Sequence, residues 1–309
     1  MKISRLTPSR RFTKPLQLLA CATVCSLGWG LGSTAQAADT LERIQARGHV
    51  VLGHRDASIP LSYVSEGKPV GYSLDVCHKV VDAVARHLKL KELPVRYLQV
   101  TSATRFAAIQ QGEADFECGS TTNTAERREK VAFTIPHFIA SARIIVRSNR
   151  PYERIEDLNT RTVASTLGTT NIDTLAREAR IKTISIQVEP AKDHAEGVAW
   201  VLAGKVDGFA MDDVLLFGLR ANAPKPEDLK VIGKPMTIEP YAVVFERNNP
   251  ALKRLVDSEL RRLITTKEIN KLYDKWFLSP IPPRGINLKM AMPNLLSDSF
   301  RFPTDYVPN

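Results

Sequence analysis

Ionisable side chains come just after several predicted strands, at the carboxyl ends of those strands. Arg55 comes just after the apolar strand His49–Gly53, and Asp212 directly follows the strand Gly208–Met211. Ligands of open α/β sheets bind at the carboxyl ends of the strands. An arginine fork binds a carboxylate through two charge-assisted hydrogen bonds, and an aspartate is the natural counter-charge of an ammonium group. These residue types therefore suit a small molecule that carries charges of both signs.

Two turns rich in hydroxyl groups offer further polar contacts. Gly119–Thr122 precedes Arg127 by a short turn, and Ser165–Thr170 is a tight loop between a strand and the predicted helix Asn171–Arg180. Backbone N–H groups at the start of a helix attract anions without any side chain. A structural role stays open for each position, since glycine and hydroxyl residues also form ordinary turns and aspartates and threonines also cap helices. Helix capping is the alternative role of Thr166, Thr169, Asp212 and Asp213.

Motifs for the common hydrolytic and nucleotide sites are missing from the sequence. It contains no G-x-S-x-G, H-E-x-x-H or G-x-x-x-x-G-K-[ST], the patterns of serine hydrolases, zinc proteases and P-loop proteins. Asp193 and His194 are neighbours in the chain, and such neighbours rarely face each other as an acid–base pair. The sequence thus predicts no catalytic residue, no metal site and no cofactor.

The elements that position these residues repeat in two halves of the chain. Each half reads as strands alternating with helices, and each has the form x-G-x-x-D between a helix and a strand, at Gln111–Asp115 and at Ala203–Asp207. The repeat predicts two similar α/β lobes, each a sheet flanked by helices. Two extended stretches without a glycine break, Ile139–Arg147 and Tyr241–Arg247, are predicted to cross between the lobes. The predicted boundaries are 38–139 with 240–279 for lobe 1, 140–239 for lobe 2 and 280–309 for a C-terminal tail.

The first 37 residues have the composition of a cleaved export signal. Five basic residues and no acid precede an apolar run, and Ala35-Gln36-Ala37 supplies small residues before the cut. A Sec or a twin-arginine route both remain open, and a lipoprotein box around Cys21 is a lesser alternative. Removing residues 1–37 lowers the formal charge of the 309-residue chain from +10 to +5. A charge of this size without a dense basic run does not indicate nucleic-acid binding.

Cleavage leaves two cysteines, Cys77 and Cys118, in an oxidising compartment. Two buried thiols and a disulfide both remain open, because separation in sequence does not fix distance in space.

The mature chain resembles the family 3 periplasmic solute-binding proteins, the receptors of polar amino acid importers. The segment Asp115–Arg128 carries the resemblance most clearly and looks like the glutamate/aspartate-binding branch. Further matches occur in order along the chain, at Gly53–Arg55, Thr101–Arg105, Gly168–Thr170, Ala191–His194, Met211–Asp213, Tyr273–Phe277 and Pro280–Pro283. One departure is Leu167, where the branch has a smaller residue. The resemblance implies an α/β fold of two lobes joined by two crossing strands, the type II periplasmic binding protein.

The resemblance also implies a set of ligand contacts. Arg127 would hold the ligand α-carboxylate, helped by Thr122 and, from the second lobe, by the Thr166 and Thr169 loop. Asp212 would face the α-ammonium together with Ser120, while Asp213 would cap the following helix. The remaining polar groups would then contact the distal carboxylate of an acidic ligand: Arg55, Ser102, Arg105 and His194.

The resulting hypothesis is a monomeric periplasmic receptor that binds glutamate or aspartate and delivers it to the permease of an ABC importer, without a cofactor. An enzyme on the same scaffold, similar to a periplasmic prephenate or arogenate dehydratase, is the alternative, since fold alone does not fix function. A sensory domain is a third possibility, although the tail Arg284–Asn309 contains neither a membrane span nor a kinase.

Overall fold

The computed structural model describes residues 39–307. The predicted signal peptide, residues 1–37, lies outside this part of the chain. Within it, no helix is long and apolar enough to span a membrane.

Short strands and helices alternate along the described residues and are numbered here in chain order. The strands are β1 Val50–His54, β2 Ala57–Ser58, β3 Ser62–Ser65, β4 Lys68–Val70, β5 Val95–Gln99, β6 Phe116–Glu117, β7 Ala132–Phe133, β8 Phe138–Ala140, β9 Ala142–Arg147, β10 Arg161–Thr166, β11 Ile186–Ala191, β12 Gly208–Asp212, β13 Leu229–Ile232, β14 Glu239–Tyr241 and β15 Val244–Phe245. The helices are α1 Thr40–Arg47, α2 Tyr72–His87, α3 Arg105–Gln110, α4 Ala125–Arg128, α5 Asn171–Ile181, α6 His194–Ala203, α7 Asp213–Asn222, α8 Pro250–Thr265, α9 Glu268–Tyr273 and α10 Asn294–Arg301.

Two five-stranded sheets with the same pattern form the two lobes. In lobe 1 the strand order is β5-β1-β6-β15-β7, and in lobe 2 it is β11-β10-β12-β9-β13. Each sheet has three parallel strands followed by one antiparallel strand, β15 in lobe 1 and β9 in lobe 2. Because β15 follows the second sheet in the chain, the first sheet is built from two separate segments. The residue numbers predicted for the lobe boundaries stay a prediction.

The chain crosses between the lobes at β8 and β14, which pair with each other. Their antiparallel register places Phe138 opposite Tyr241 and Ala140 opposite Glu239. Both predicted crossing stretches were too long, because Ala142–Arg147 forms β9 of the second sheet and Val244–Phe245 forms β15 of the first. The first stretch is interrupted at Ser141, whose backbone N–H and carbonyl bond to Asp213 at the start of α7 instead of to a strand.

Aromatic packing fixes the crossing strands to the end of lobe 1. Phe138 of β8 stacks on Phe277, with ring centroids 5.2 Å apart, and Phe277 stacks on Tyr273 of α9 at 4.3 Å. Stacked aromatic pairs contribute about 0.5–1.5 kcal/mol beyond the area they bury. The crossing therefore has a rigid base from which lobe 2 extends.

Helix α6 has a capping residue at each end, whereas no side chain caps the start of α2. Asp193 caps α6 through the N–H of Glu196, and Gly204 ends it in the left-handed conformation. Ser73 does not cap α2, because that helix already begins at Tyr72 after Gly71. Ser73 Oγ instead bonds to His137 Nε2 at 2.9 Å, beneath the crossing strands.

A disulfide joins Cys77 of α2 to Cys118, which directly follows β6, with a Cα–Cα distance of 6.1 Å. Both residues are fully buried. Cys118 immediately precedes the turn Gly119–Thr122, so the bond ties that turn to helix α2 of lobe 1. Disulfides stabilise folded proteins by typically 2–4 kcal/mol.

The segment after residue 279 packs against both lobes. Arg284 donates to the carbonyl of Ala223 at the end of α7 at 2.8 Å, and helix α10 follows further along. Asp305 then forms an ion pair with Lys253 of α8 at 3.0 Å. The predicted tail is thus a folded extension that contacts lobe 1 at Pro282 and Asp305 and lobe 2 at Arg284.

Candidate ligand-binding site

The predicted site residues lie beyond the carboxyl ends of parallel strands in both sheets. In lobe 1, β1 leads to Arg55, β5 leads to Ser102 and Arg105, and β6 leads to Ser120, Thr122 and Arg127. In lobe 2, β10 leads to Thr166 and Thr169, β11 leads to His194, and β12 ends at Asp212. Since the parallel strands of each sheet point the same way, these side chains gather at one edge of each lobe.

Arg55 and Arg105 are two buried basic side chains at the cleft edge of lobe 1. Each is 2% exposed. Arg55 Nη2 donates to Ser102 Oγ at 2.6 Å, and Arg105 Nη1 donates to the carbonyl of the same serine. The Nε of each arginine has no hydrogen-bond partner among the described residues. Unpaired buried donors are costly, so both guanidinium groups present unmet hydrogen-bonding capacity.

Arg127 lies on the short helix α4, whose first turn is capped by Thr124. Its Nη1 donates to the carbonyl of Thr122 at 2.9 Å, so the hydroxyl-rich turn orients the guanidinium. Ser120 is held in turn by Ser58, through a hydrogen bond of 3.3 Å between their hydroxyl groups. The turn and the arginine therefore act as one preorganised group.

Lobe 2 contributes a histidine that is positioned by a threonine. Thr166 Oγ1 bonds to His194 Nδ1 at 2.9 Å, and His194 Nε2 has no partner among the described residues. Burial, together with Arg55 and Arg105, lowers the pKa of His194 well below its usual value. His194 is therefore neutral at physiological pH. Thr169 lies on the same loop and its Oγ1 donates to the carbonyl of Thr166 at 2.8 Å.

Asp212 is the buried carboxylate of lobe 2, at 4% exposed. Asn171 Nδ2 donates to its Oδ1 at 3.0 Å, and the Tyr241 hydroxyl donates to its Oδ2. Burial, with the nearby charge of Glu239, raises the pKa of Asp212 to about 7, and both hydrogen bonds counteract that shift. Asp213 instead accepts from the backbone N–H groups of Ser141 and Val214. The two aspartates thus have separate roles, one in the cavity and one at the start of α7.

These groups surround one small cavity between the lobes, with a volume of about 10 Å³. Eight of the ten predicted residues line it: Ser102, Arg105, Ser120, Thr122, Arg127, Thr169, His194 and Asp212. The other two lie just behind, Arg55 against Ser102 and Thr166 against His194. Among the described residues, no group of acidic, histidine or cysteine side chains could hold a metal ion.

Sequence reasoning missed several polar groups that complete the site. Glu117 is 1% exposed, accepts from the Thr121 hydroxyl at 2.7 Å and counters the charge of the three arginines. Thr170 lines the cavity and donates to Glu239 at 3.0 Å. Glu117 at the end of β6 follows the strand-end pattern and could have been found by it. Asn171 and Tyr241 could not, because only the folded structure brings them to Asp212.

This chain is similar to known proteins in family, sequence and fold. Residues 50–279 match the family model of the bacterial extracellular solute-binding proteins, family 3. The chain is 40% identical over 290 residues to the L-glutamate/L-aspartate-binding protein of Pseudomonas aeruginosa, covering 93% of this chain and 96% of that protein. It is 33% identical over 293 residues to the glutamate/aspartate import solute-binding protein of Escherichia coli K12, covering 94% and 97% respectively.

Solved structures match the same two-lobed architecture. An ancestral amino acid-binding protein, described as a precursor of cyclohexadienyl dehydratase, superposes with a TM-score of 0.64 at 26% identity, over 77% of this chain and 99% of that chain. A variant of the arginine-binding protein of T. maritima superposes with a TM-score of 0.67 at 24% identity, over 77% and 98%. The second likeness concerns the fold alone. With its two lobes, its cleft and its match over residues 50–279, the chain belongs to the bacterial extracellular solute-binding proteins of family 3.

Proposed function

We propose that this protein is the periplasmic receptor of an ABC importer, and that it binds glutamate or aspartate between its two lobes. The charged groups that line the cavity carry this proposal. Two guanidinium groups, Arg105 and Arg127, and one carboxylate, Asp212, line it. A dicarboxylic amino acid presents the complementary set of two carboxylates and one ammonium. The names of the relatives from P. aeruginosa and E. coli support the same ligand class.

Pairing of every buried charge is the physical reason for this ligand class. A neutral side chain would leave one of the guanidinium groups that line the cavity without a carboxylate partner there, and a buried charge without a partner is strongly destabilising. Behind the lining, Glu117 opposes the charge of all three arginines, and Glu239 opposes that of Arg127. Neither glutamate lines the cavity, so a second carboxylate on the ligand would supply the direct partner that the lining lacks.

Each end of the ligand is assigned to a distinct group of residues. Arg127, with Thr122 and Thr169, would hold the α-carboxylate, and Asp212 with Ser120 would hold the ammonium. The distal carboxylate would then contact Arg105, Arg55, Ser102 and His194 Nε2, with Thr166 orienting the imidazole ring. Since His194 is neutral, it contributes a hydrogen bond and the arginines contribute the charge.

Export and assembly complete the proposal. Residues 1–37 act as a cleaved signal peptide, so the mature protein resides in the periplasm. It functions as a monomer, without a cofactor or nucleic acid, and delivers its ligand to permease and ATPase subunits on separate chains. Residues 38–139 with 240–279 form lobe 1, residues 140–239 form lobe 2, and residues 280–309 form the extension.

Calorimetric titration of ligand-free protein tests the ligand class. Glutamate, aspartate, glutamine, asparagine and arginine are compared at pH 8. We expect glutamate or aspartate to bind at least about tenfold more tightly than its amide, the effect of a pairing difference of about 1.4 kcal/mol. Equal binding of acid and amide, or preference for arginine, would contradict the proposal.

We also propose that the protein binds without turnover. Asp212 already accepts hydrogen bonds from Asn171 and Tyr241, and His194 bonds to Thr166, so neighbouring side chains hold both of these titratable groups in place. Incubation with prephenate and arogenate, followed by product analysis, tests the dehydratase alternative. Carbon dioxide or a new aromatic product above the buffer control would show that the receptor proposal is incomplete.

A further inference from the structure

One carbonyl of lobe 2 accepts hydrogen bonds from two arginines of lobe 1. The carbonyl oxygen of Gly168 lies 3.1 Å from Arg105 Nη2 and 3.3 Å from Arg127 Nη2. Gly168 belongs to the loop between β10 and α5, so these bonds connect the lobes directly. Bonds with a charged donor are stronger than those between neutral groups.

The loop presents this carbonyl through a backbone conformation that suits glycine. Gly168 has a φ of +75°, and a Cβ at this position would lie 2.6 Å from the carbonyl oxygen of Ser102 and 3.0 Å from Ala103 Cα. The loop backbone therefore touches the lobe 1 backbone without an intervening side chain. Leu167 N–H bonds to the Ala191 carbonyl at 2.9 Å, and Thr169 closes the turn, so the loop is anchored on both sides.

These contacts leave both arginines able to bind a ligand. Arg105 also donates to the Ser102 carbonyl and Arg127 to the Thr122 carbonyl, both within lobe 1. Each guanidinium thus uses one N–H within its own lobe and one towards Gly168, and it keeps further N–H donors. Arg105 Nε is one of them, since it has no partner among the described residues.

We propose that Gly168 is a positioning residue whose carbonyl latches the closed lobes onto the two ligand-binding arginines. The latch aligns the guanidinium groups when lobe 2 docks and holds the lobes together at the mouth of the cavity. Its role in ligand affinity rests on the proposed function, whereas its role in lobe closure does not. A chain lacking the latch releases ligand faster and opens more readily without ligand.

Matched glycine variants test the latch. Gly168→Ala introduces both the clash with Ser102 and the strain of a positive φ. Gly67→Ala introduces the same strain alone, because Gly67 has a φ of +74° and no atom within 4 Å of the added Cβ. Gly168→Asn and Gly67→Asn form a second pair, since asparagine tolerates the left-handed conformation better. Thermal unfolding without ligand shows whether each variant is folded.

Two measurements are made on each variant. Stopped-flow and calorimetry give the dissociation rate and Kd for glutamate, and both should rise about tenfold or more at position 168, the equivalent of losing about 1.4 kcal/mol. The same changes at position 67 should leave Kd within about twofold. Nitroxide labels at Arg96→Cys on β5 and Arg180→Cys on α5 report the distance between the lobes in ligand-free protein. That distance should lengthen with Gly168→Ala and stay unchanged with Gly67→Ala.

The outcomes separate the latch from the proposed function. Variants of Gly168 that match the Gly67 controls in distance and in dissociation rate would overturn the latch. A wild-type protein that binds neither glutamate nor aspartate would overturn the proposed function. In that case a longer distance in Gly168→Ala alone would still support the latch.

Discussion

The affinity for an acidic amino acid should fall as the pH is lowered from 8 to 6, because Asp212 must be ionised to bind the ligand ammonium. Burial and Glu239 raise the pKa of Asp212 to about 7 in the ligand-free protein. An acid with a raised pKa is protonated below that value, so ligand binding at low pH first has to remove a proton. The pKa of His194 is lowered well below its usual value, so this histidine stays neutral over the range.

The size of the effect follows from the pKa of Asp212. One pH unit below a pKa of about 7, roughly one molecule in ten carries the ionised carboxylate, and each unit corresponds to about 1.4 kcal/mol. The Kd for glutamate should therefore rise about tenfold between pH 8 and pH 6. Calorimetry in two buffers of different ionisation enthalpy should detect nearly one proton released per ligand at pH 6 and almost none at pH 8.

Two conservative variants should move the midpoint of this pH dependence in opposite directions. Tyr241→Phe removes a hydrogen bond that favours the carboxylate, so the midpoint should shift to higher pH. Glu239→Gln removes a neighbouring negative charge, so the midpoint should shift to lower pH. Asp212→Asn should weaken binding at pH 8 and abolish the pH dependence. Tyr63→Phe is the control, because the Tyr63 hydroxyl donates to Pro282 instead.

Affinity that is constant from pH 8 to pH 6, or that increases as the pH falls, would refute this reasoning. The second result is the one expected if a protonated His194 bound the distal carboxylate. The sign of the slope therefore distinguishes the aspartate from the histidine.

Three further predictions concern specificity, closure and the disulfide. Arg105→Ala should weaken the binding of glutamate much more than that of glutamine, whereas Arg127→Ala should weaken the binding of both alike. Each lost partner should cost about 2–5 kcal/mol of binding free energy. Equal losses of affinity for the two ligands in Arg105→Ala would refute the assignment of Arg105 to the distal carboxylate. Small-angle scattering should show a smaller radius of gyration with saturating glutamate, and an unchanged profile would argue against ligand-driven closure. Intact-mass analysis of unreduced, alkylated protein should find Cys77 and Cys118 unmodified, and two alkyl groups would exclude the bond.

The architecture could be predicted because local sequence patterns indicate helices and strands. Strands alternating with helices, and a helix-stopping glycine within each x-G-x-x-D segment, predict α/β lobes from the sequence alone. The ends of the crossing strands could not be predicted in this way. Ser141 looks like part of an extended stretch, and only its contact with Asp213, more than seventy residues later, interrupts the strand there.

Strand-end positions predicted where the ionisable groups of the site lie, and the family resemblance suggested their roles. Glu117 follows the same rule at the end of β6. The partners of Asp212 illustrate the limit of both approaches. Tyr241 lies on a crossing strand and Asn171 at the start of α5, and neither position indicates a contact with β12 before the chain is folded. The neutral state of His194 likewise depends on burial and on two arginines from the other lobe.

A crystal structure of the protein with glutamate at pH 8 tests the central claim most directly. We expect one glutamate enclosed between the lobes, with its α-carboxylate on Arg127, its ammonium on Asp212, and its side-chain carboxylate on Arg105 and His194 Nε2. A glutamate held by one lobe alone, or bound with its side-chain carboxylate on Arg127, would contradict it.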